Sequence, residues 1–91
     1  MIRLNVFIQV SADRRAAALE AAKALTACSL QDKGCIAYDI FESATRPDVL
    51  LICETWTDAD ALAAHSATEH FERYVGQIEQ LGQMKLEQFE F

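Results

Sequence analysis

Residues 49–74 read VLLICETWTDADALAAHSATEHFERY. Their hydrophobic period changes once, and both histidines and the single tryptophan of the chain lie near that change. Val49–Trp56 is rich in Val, Leu, Ile and Thr, lacks Gly and Pro, and reads as a strand buried on both faces. Glu54 is the exception. A carboxylate inside such a strand costs on the order of several kcal/mol unless it is paired, hydrogen-bonded, protonated or opened to water. Thr57, three residues before Asp60, is a candidate helix cap, and an alanine-rich helix follows with Ala59, Leu62 and Ala63 on one side. Ser66 stands three residues before Glu69, a second capping box, so the spacing predicts a break at 66–68 and a restart toward Phe71, Tyr74, Val75 and Ile78. A helix broken there aims His65 at the sheet, toward Glu54 and Trp56, and leaves His70 in the first turn of the next helix.

On either side of this stretch the pattern is equally regular. Ile2, Leu4, Val6, Ile8 and Val10 alternate with Arg3, Asn5, Phe7 and Gln9, a period of two and hence a strand. Asn5 on the second face either points into a partly polar cavity or is a solvated strand position. Ser11–Asp13 offers N-caps for a helix whose buried side reads as Ala17, Ala18, Ala21, Leu25 and Cys28, with Gly34 as its C-cap. Cys35–Glu42 alternates again, with Tyr38 a candidate cavity residue. SATRPD is a turn short enough to make an antiparallel hairpin with the strand at 49–56. Gly82 ends the last helix, and Lys85–Phe91 alternates into a final strand.

The order βαββαβ is the split-βαβ, ferredoxin-like plan of the α+β class: an antiparallel sheet with its helices on one face. The strands are apolar on their second face too, and in a chain of 91 residues that implies a homodimer packed sheet against sheet, a dimeric α+β barrel. One domain spanning residues 1–91 is expected.

Composition narrows the partners. A net charge of −6 argues against nucleic acid and anionic membrane, which select clustered Lys and Arg. Cys28, Cys35 and Cys53 form no C-x-x-C pair and no even set, as expected of reduced thiols in a cytoplasmic protein. No window approaches the roughly 18 apolar residues of a membrane span, and the first residues lack the features of a signal peptide. No Gly-rich nucleotide motif is present, so no flavin or nicotinamide cofactor is expected.

The run ETWTDADALAAHSATEHFERY resembles the antibiotic biosynthesis monooxygenase (ABM) domain family, in which a Glu, an aromatic two residues later, and H-x-x-T-x-H followed by an apolar residue recur. Here these are Glu54, Trp56, His65, Thr68, His70 and Phe71. QDKGCIAYDIFES is similar to the family's E-E-G-x-x-x-(F/Y)-(D/P) segment. The resemblance implies a dimeric α+β barrel and one of several activities: cofactor-independent oxygenation of quinols and phenols, haem degradation, or isomerisation of a phosphorylated signal molecule. Haem degraders use an Asn, a Trp and a His, of which only the Asn has a counterpart here, Asn5. The isomerase branch carries a tyrosine where Trp56 stands.

The residues and the resemblance together point to His65 as a general base oriented by Glu54, with Asn5, Tyr38, Trp56, His70, Phe71 and Tyr74 shaping a pocket for a small aromatic or polar metabolite. The alternatives are a helix-end histidine bonded to backbone, a solvated Glu54, and aromatics that are simply core. A metal is not expected, because histidines at i and i+5 do not share a helical face and no third ligand lies at customary spacing. A non-catalytic ligand-binding barrel remains beside the enzyme.

Overall fold

The apolar half of the first alternation, Ile2, Leu4, Val6, Ile8 and Val10, is 0–7% exposed, so the period-two pattern does select the face that packs. In the computed structural model, which describes Met1–Phe91, these residues belong to β1 (Ile2–Val10). There follow α1 (Arg15–Ser29), β2 (Cys35–Glu42), β3 (Val49–Trp56), α2 (Ala59–Ser66), α3 (Glu69–Leu81) and β4 (Gly82–Glu90). The four strands form one sheet in the order β2-β3-β1-β4, with every pairing antiparallel. This is the expected βαββαβ, ferredoxin-like arrangement.

Register decides which side chains meet. Leu4 pairs with Glu54 across β1 and β3, and Tyr38 pairs with Glu54 across β2 and β3, so all three share the face under the helices. Asn5 pairs instead with Cys53 and Glu87, which puts it on the opposite, helix-free face. Asn5 therefore cannot enter a cavity that Glu54 faces, which corrects the expectation that the two share one.

The helices depart from the expected stripes and caps in detail. The buried side of α1 is Ala18, Ala21, Ala22, Leu25 and Ser29. Ala17 is exposed and Cys28 half-buried, because the helix is rotated to set Leu25 and Ala22 into the sheet. α2 is capped by Asp58, whose side chain accepts from the Ala61 amide at 2.8 Å, and not by Thr57. α3 is capped by Thr68, whose Oγ1 accepts from the Phe71 amide at 3.2 Å; Ser66 stays in α2 and donates to the Leu62 carbonyl. The break at 66–68 is where the spacing placed it, but Thr68 caps the restart, as Asp58 caps the start of α2, because each has the extended backbone of an N-cap. β4 starts at Gly82, three residues earlier than expected, because Gly82, Gln83 and Met84 already pair with β1. No helix is long and apolar enough to cross a membrane.

Gly34 does not cap α1, which ends at Ser29; it forms the turn into β2 with φ +83°. A Cβ there would lie 2.5 Å from that of Ala61 and 2.8 Å from Thr57 Oγ1, so this turn lets β2 start close against the first turn of α2. Gly34→Ala is expected to cost at least about 1–2 kcal/mol, the left-handed penalty alone. Gly76 lies mid-helix in α3, and a methyl group added there would meet nothing within 4 Å. It should behave oppositely, Gly76→Ala adding about 0.5–1 kcal/mol. Urea unfolding of both variants checks the pair, and equal signs would contradict it.

Candidate active site

The site is built where β3 ends and the helix breaks. Trp56, last residue of β3, is fully buried, and its indole Nε1 donates to Glu54 Oε1 at 2.9 Å. Glu54 is 4% exposed and is thus an internal carboxyl whose one well-formed side-chain hydrogen bond comes from its neighbour but one. Burial pushes its pKa above the ordinary carboxylate value, and the Trp56 and Tyr38 donors offset only part of that. The Tyr38 hydroxyl lies beside both Glu54 and Ser29 without a well-aligned bond to either. Burial, and then the charge of Glu54, raise its pKa far above that of a free phenol, so Tyr38 remains a neutral donor.

His65, at the end of α2, is 1% exposed and is enclosed by rings. Its centroid is 4.4 Å from that of Trp56 in a tilted stack, with Phe71 edge-on at 5.2 Å and Tyr38 at 5.8 Å. The expected hydrogen bond from His65 to Glu54 is not formed. His65 Nδ1 is bonded instead to Asp32 Oδ2 at 2.8 Å, and His70 Nε2 reaches the same oxygen at 2.8 Å. A carboxylate can only accept, so both rings donate to it, which assigns His65 the Nδ1–H tautomer and leaves its buried Nε2 a bare lone pair without a partner. Burial holds the His65 imidazole below its ordinary pKa, outweighing the attraction of Asp32, so the ring is a neutral base.

Asp32 is the residue sequence reasoning missed. It lies in the turn after α1, 33 positions before His65, too far for any spacing rule to join them. The one signal that could have found it is the acidic position two residues before Gly34, in the segment similar to the family's E-E-G.

A cavity of about 260 Å³ opens between sheet and helices. Leu4, Val6 and Ile52 form its floor and Phe71, Val75 and Met84 its sides; its polar groups are Tyr38, Glu54, Ser66 and Glu79. Of the expected pocket residues, Tyr38, Phe71 and Glu54 line it. His65 and Trp56 lie behind its wall, His70 is engaged with Asp32, Tyr74 packs against the core, and Asn5 is across the sheet. A larger hollow of about 530 Å³ near Phe7, Arg46 and Lys85 is walled by apolar residues and exposed polar ones and holds no buried ionisable group, so it offers no comparable chemistry.

The sequence pattern of the antibiotic biosynthesis monooxygenase (ABM) family matches residues 1–77. The candidate monooxygenase YcnE of Bacillus subtilis (strain 168) is 31% identical over 81 residues, 89% of this chain and 85% of that protein. A crystal structure from Bacteroides thetaiotaomicron VPI-5482, of a conserved protein of unknown function described as a possible oxidoreductase, is 63% identical. It superposes with a TM-score of 0.98 over 99% of this chain and 96% of that one. A candidate antibiotic biosynthesis monooxygenase from Nitrosomonas europaea shares the fold, with a TM-score of 0.94 at 22% identity over 100% of this chain and 98% of that one.

The raised pKa of Glu54 has a stability consequence of definite sign. Above about pH 4.5 the unfolded chain loses this proton while the folded chain retains it up to its higher pKa, so the contribution of Glu54 to stability falls as pH rises through that window. Glu54→Gln keeps an acceptor for Trp56 and removes the titration. Its melting temperature relative to wild type is therefore expected to climb between about pH 4 and about pH 8. A difference that stays constant or shrinks in parallel melting curves would contradict the buried carboxyl.

Proposed function

The chain belongs to the antibiotic biosynthesis monooxygenase family, and from that premise we propose that it is a monooxygenase for a small quinol or hydroxy-aromatic substrate, with Glu54 as the proton acceptor and no organic cofactor. The observation that carries this reading is an ionisable carboxyl of raised pKa on the wall of a mostly apolar cavity. A carboxylate moved toward neutrality is a better match to a phenolic or enolic proton than an exposed one.

In this reading the ring of the substrate lies against Phe71, Val75 and Ile52, with Tyr38 donating to a substrate oxygen. Glu54 removes one proton, and the resulting anion supplies the electrons. Dioxygen adds at an electron-rich ring carbon that bears hydrogen, the peroxide anion takes back the proton from Glu54, and the hydroperoxide loses water, with that carbon's hydrogen, to leave a carbonyl: one oxygen atom enters the product, the other departs as water. The apolar walls keep bulk water from the anion. His65, expected from the sequence to be the base with Glu54 as its orienter, acts instead as a positioning residue through Trp56, on which it stacks and whose N–H holds Glu54. Isomerisation of a phosphorylated signal fits less well, since the ionisable groups on the cavity wall are Glu54, Glu79 and Tyr38, with no cationic side chain to meet a phosphate.

The same proposal includes a homodimer of the whole chain, residues 1–91. Phe41 and Phe89, each about half exposed, share the helix-free sheet face with the partly buried Phe7, Leu51 and Cys53; these apolar groups, interspersed with Asn5, Asp39, Lys85 and Glu87, suit a second copy.

Oxygen uptake on a panel of quinols and hydroxy-aromatics tests the chemistry. Glu54→Gln is expected to lose at least about 100-fold in turnover, the usual scale for a general base, while folding as wild type. Equal rates in the two proteins would leave a ligand-binding barrel without this chemistry. Light scattering tests the assembly: twice the 10.2 kDa chain mass is expected for wild type, and Phe41→Glu with Phe89→Glu should halve it. A wild-type monomer at micromolar concentration would refute the dimer.

A further inference from the structure

Asp32, His65 and His70 stand apart from the cavity and converge from three segments: the turn after α1, the last turn of α2 and the first turn of α3. We propose that they form a binding site for a divalent transition-metal ion of the zinc, cobalt or iron(II) class. Their ligand atoms all lie within 4.8 Å of one another. Two imidazoles and one carboxylate are the donor set that borderline divalent ions take, with water completing the coordination.

Receiving an ion takes a local adjustment of the two more exposed donors, Asp32 and His70. Metal–ligand bonds of about 2.0–2.1 Å in a tetrahedron hold the donors roughly 3.3 Å apart. Both ring nitrogens are now 2.8 Å from Asp32 Oδ2, so each must separate from that oxygen by about half an ångström, while the two nitrogens, up to 4.8 Å apart, must draw together to the same roughly 3.3 Å spacing. His65 is held by the rings of Trp56, Tyr38 and Phe71 and is the fixed member. The side chains of Asp32 and His70 are 16% and 23% exposed, so they can adjust and water can reach the ion. The backbone between the histidines is already set, since Thr68 Oγ1 donates to the His65 carbonyl at 2.7 Å while accepting from the Phe71 amide.

The chemistry of the cluster favours a cation as well. One carboxylate oxygen now serves two rings, and an ion would exchange those two hydrogen bonds for three coordinate bonds, the proton of each ring moving to its other nitrogen, His70 Nδ1 and the buried, unpartnered His65 Nε2. The overall charge of −6 adds a long-range attraction. Bound there, the ion cross-links the turn after α1 to the helix break and stiffens the wall behind Trp56. The site does not depend on the oxygenase reading, because Glu54 is not among its ligands.

The experiment uses untagged full-length protein stripped with a chelator and titrated with Co2+ and, separately, Zn2+. One equivalent of Co2+ is expected to produce the visible absorption of a low-coordinate cobalt site, Zn2+ to displace it, and either ion to raise the melting temperature. Asp32→Asn and His70→Ala, checked for fold by circular dichroism, should weaken binding by more than the roughly 10- to 100-fold that loss of an outer-sphere partner costs; Glu54→Gln should bind as wild type. No cobalt spectrum and no shift in melting temperature at excess metal would overturn the site. So would unchanged affinity in both ligand variants, or an equal loss in Glu54→Gln, which would put the ion in the cavity instead.

Discussion

The indole of Trp56 is the contact on which the site depends. Its N–H is the matched donor for Glu54, and without it a buried carboxyl would be left short by on the order of 1–3 kcal/mol. Its face carries His65, which in turn fixes where α2 can end. The carboxyl that sits at odds with the sheet and the histidine that closes the helix are thus held by opposite parts of one side chain. Glu54 still carries a residual burial penalty; a group that remains costly to fold is what proton-transfer sites commonly contain.

The broken helix follows from the same requirement. At about 100° per residue, five steps along a continuous helix would set His65 and His70 roughly 140° apart, and they could not reach one carboxylate. Ending α2 at Ser66 and restarting α3 at Glu69 turns both rings onto Asp32. Thr68 makes the restart inexpensive by bonding both ways across it, to the His65 carbonyl and from the Phe71 amide.

Helix cover over the sheet is uneven, and the cavity is the result. β1 and β3 lie beneath α1 and α3, where Ile8, Leu25, Leu50, Ile52 and Ile78 pack with no more than 1% exposure. β4 lies at the sheet edge, so Leu86 is 56% exposed although it pairs with Val6 and shares its inward face. The space between that strand and α3 is left open to form the mouth of the cavity, while Glu54 and Tyr38 stand deeper, toward β2. Access and chemistry are in this way assigned to different strands of one sheet.

Much of this was determined by sequence alone. Period-two alternation places the strands and the packed face of β1, the one interruption in VLLICETW marks Glu54, and the Ser/Thr spacing marks the helix break. These signals are local, because strand and helix periods act over two to four residues. Tertiary structure decided the rest. Whether Asn5 shares a cavity with Glu54 depends on pairing register, and the exact caps, Asp58 and Thr68 rather than Thr57 and Ser66, depend on which residue is held extended where β3 meets α2 and where α2 gives way to α3. The partner of His65 depends on bringing a turn 33 positions away against the helix break. Hydrophobic patterning records which side of an element is buried but not which polar group will be waiting there, and so Glu54 was legible as an anomaly while Asp32 became visible only when the chain was folded.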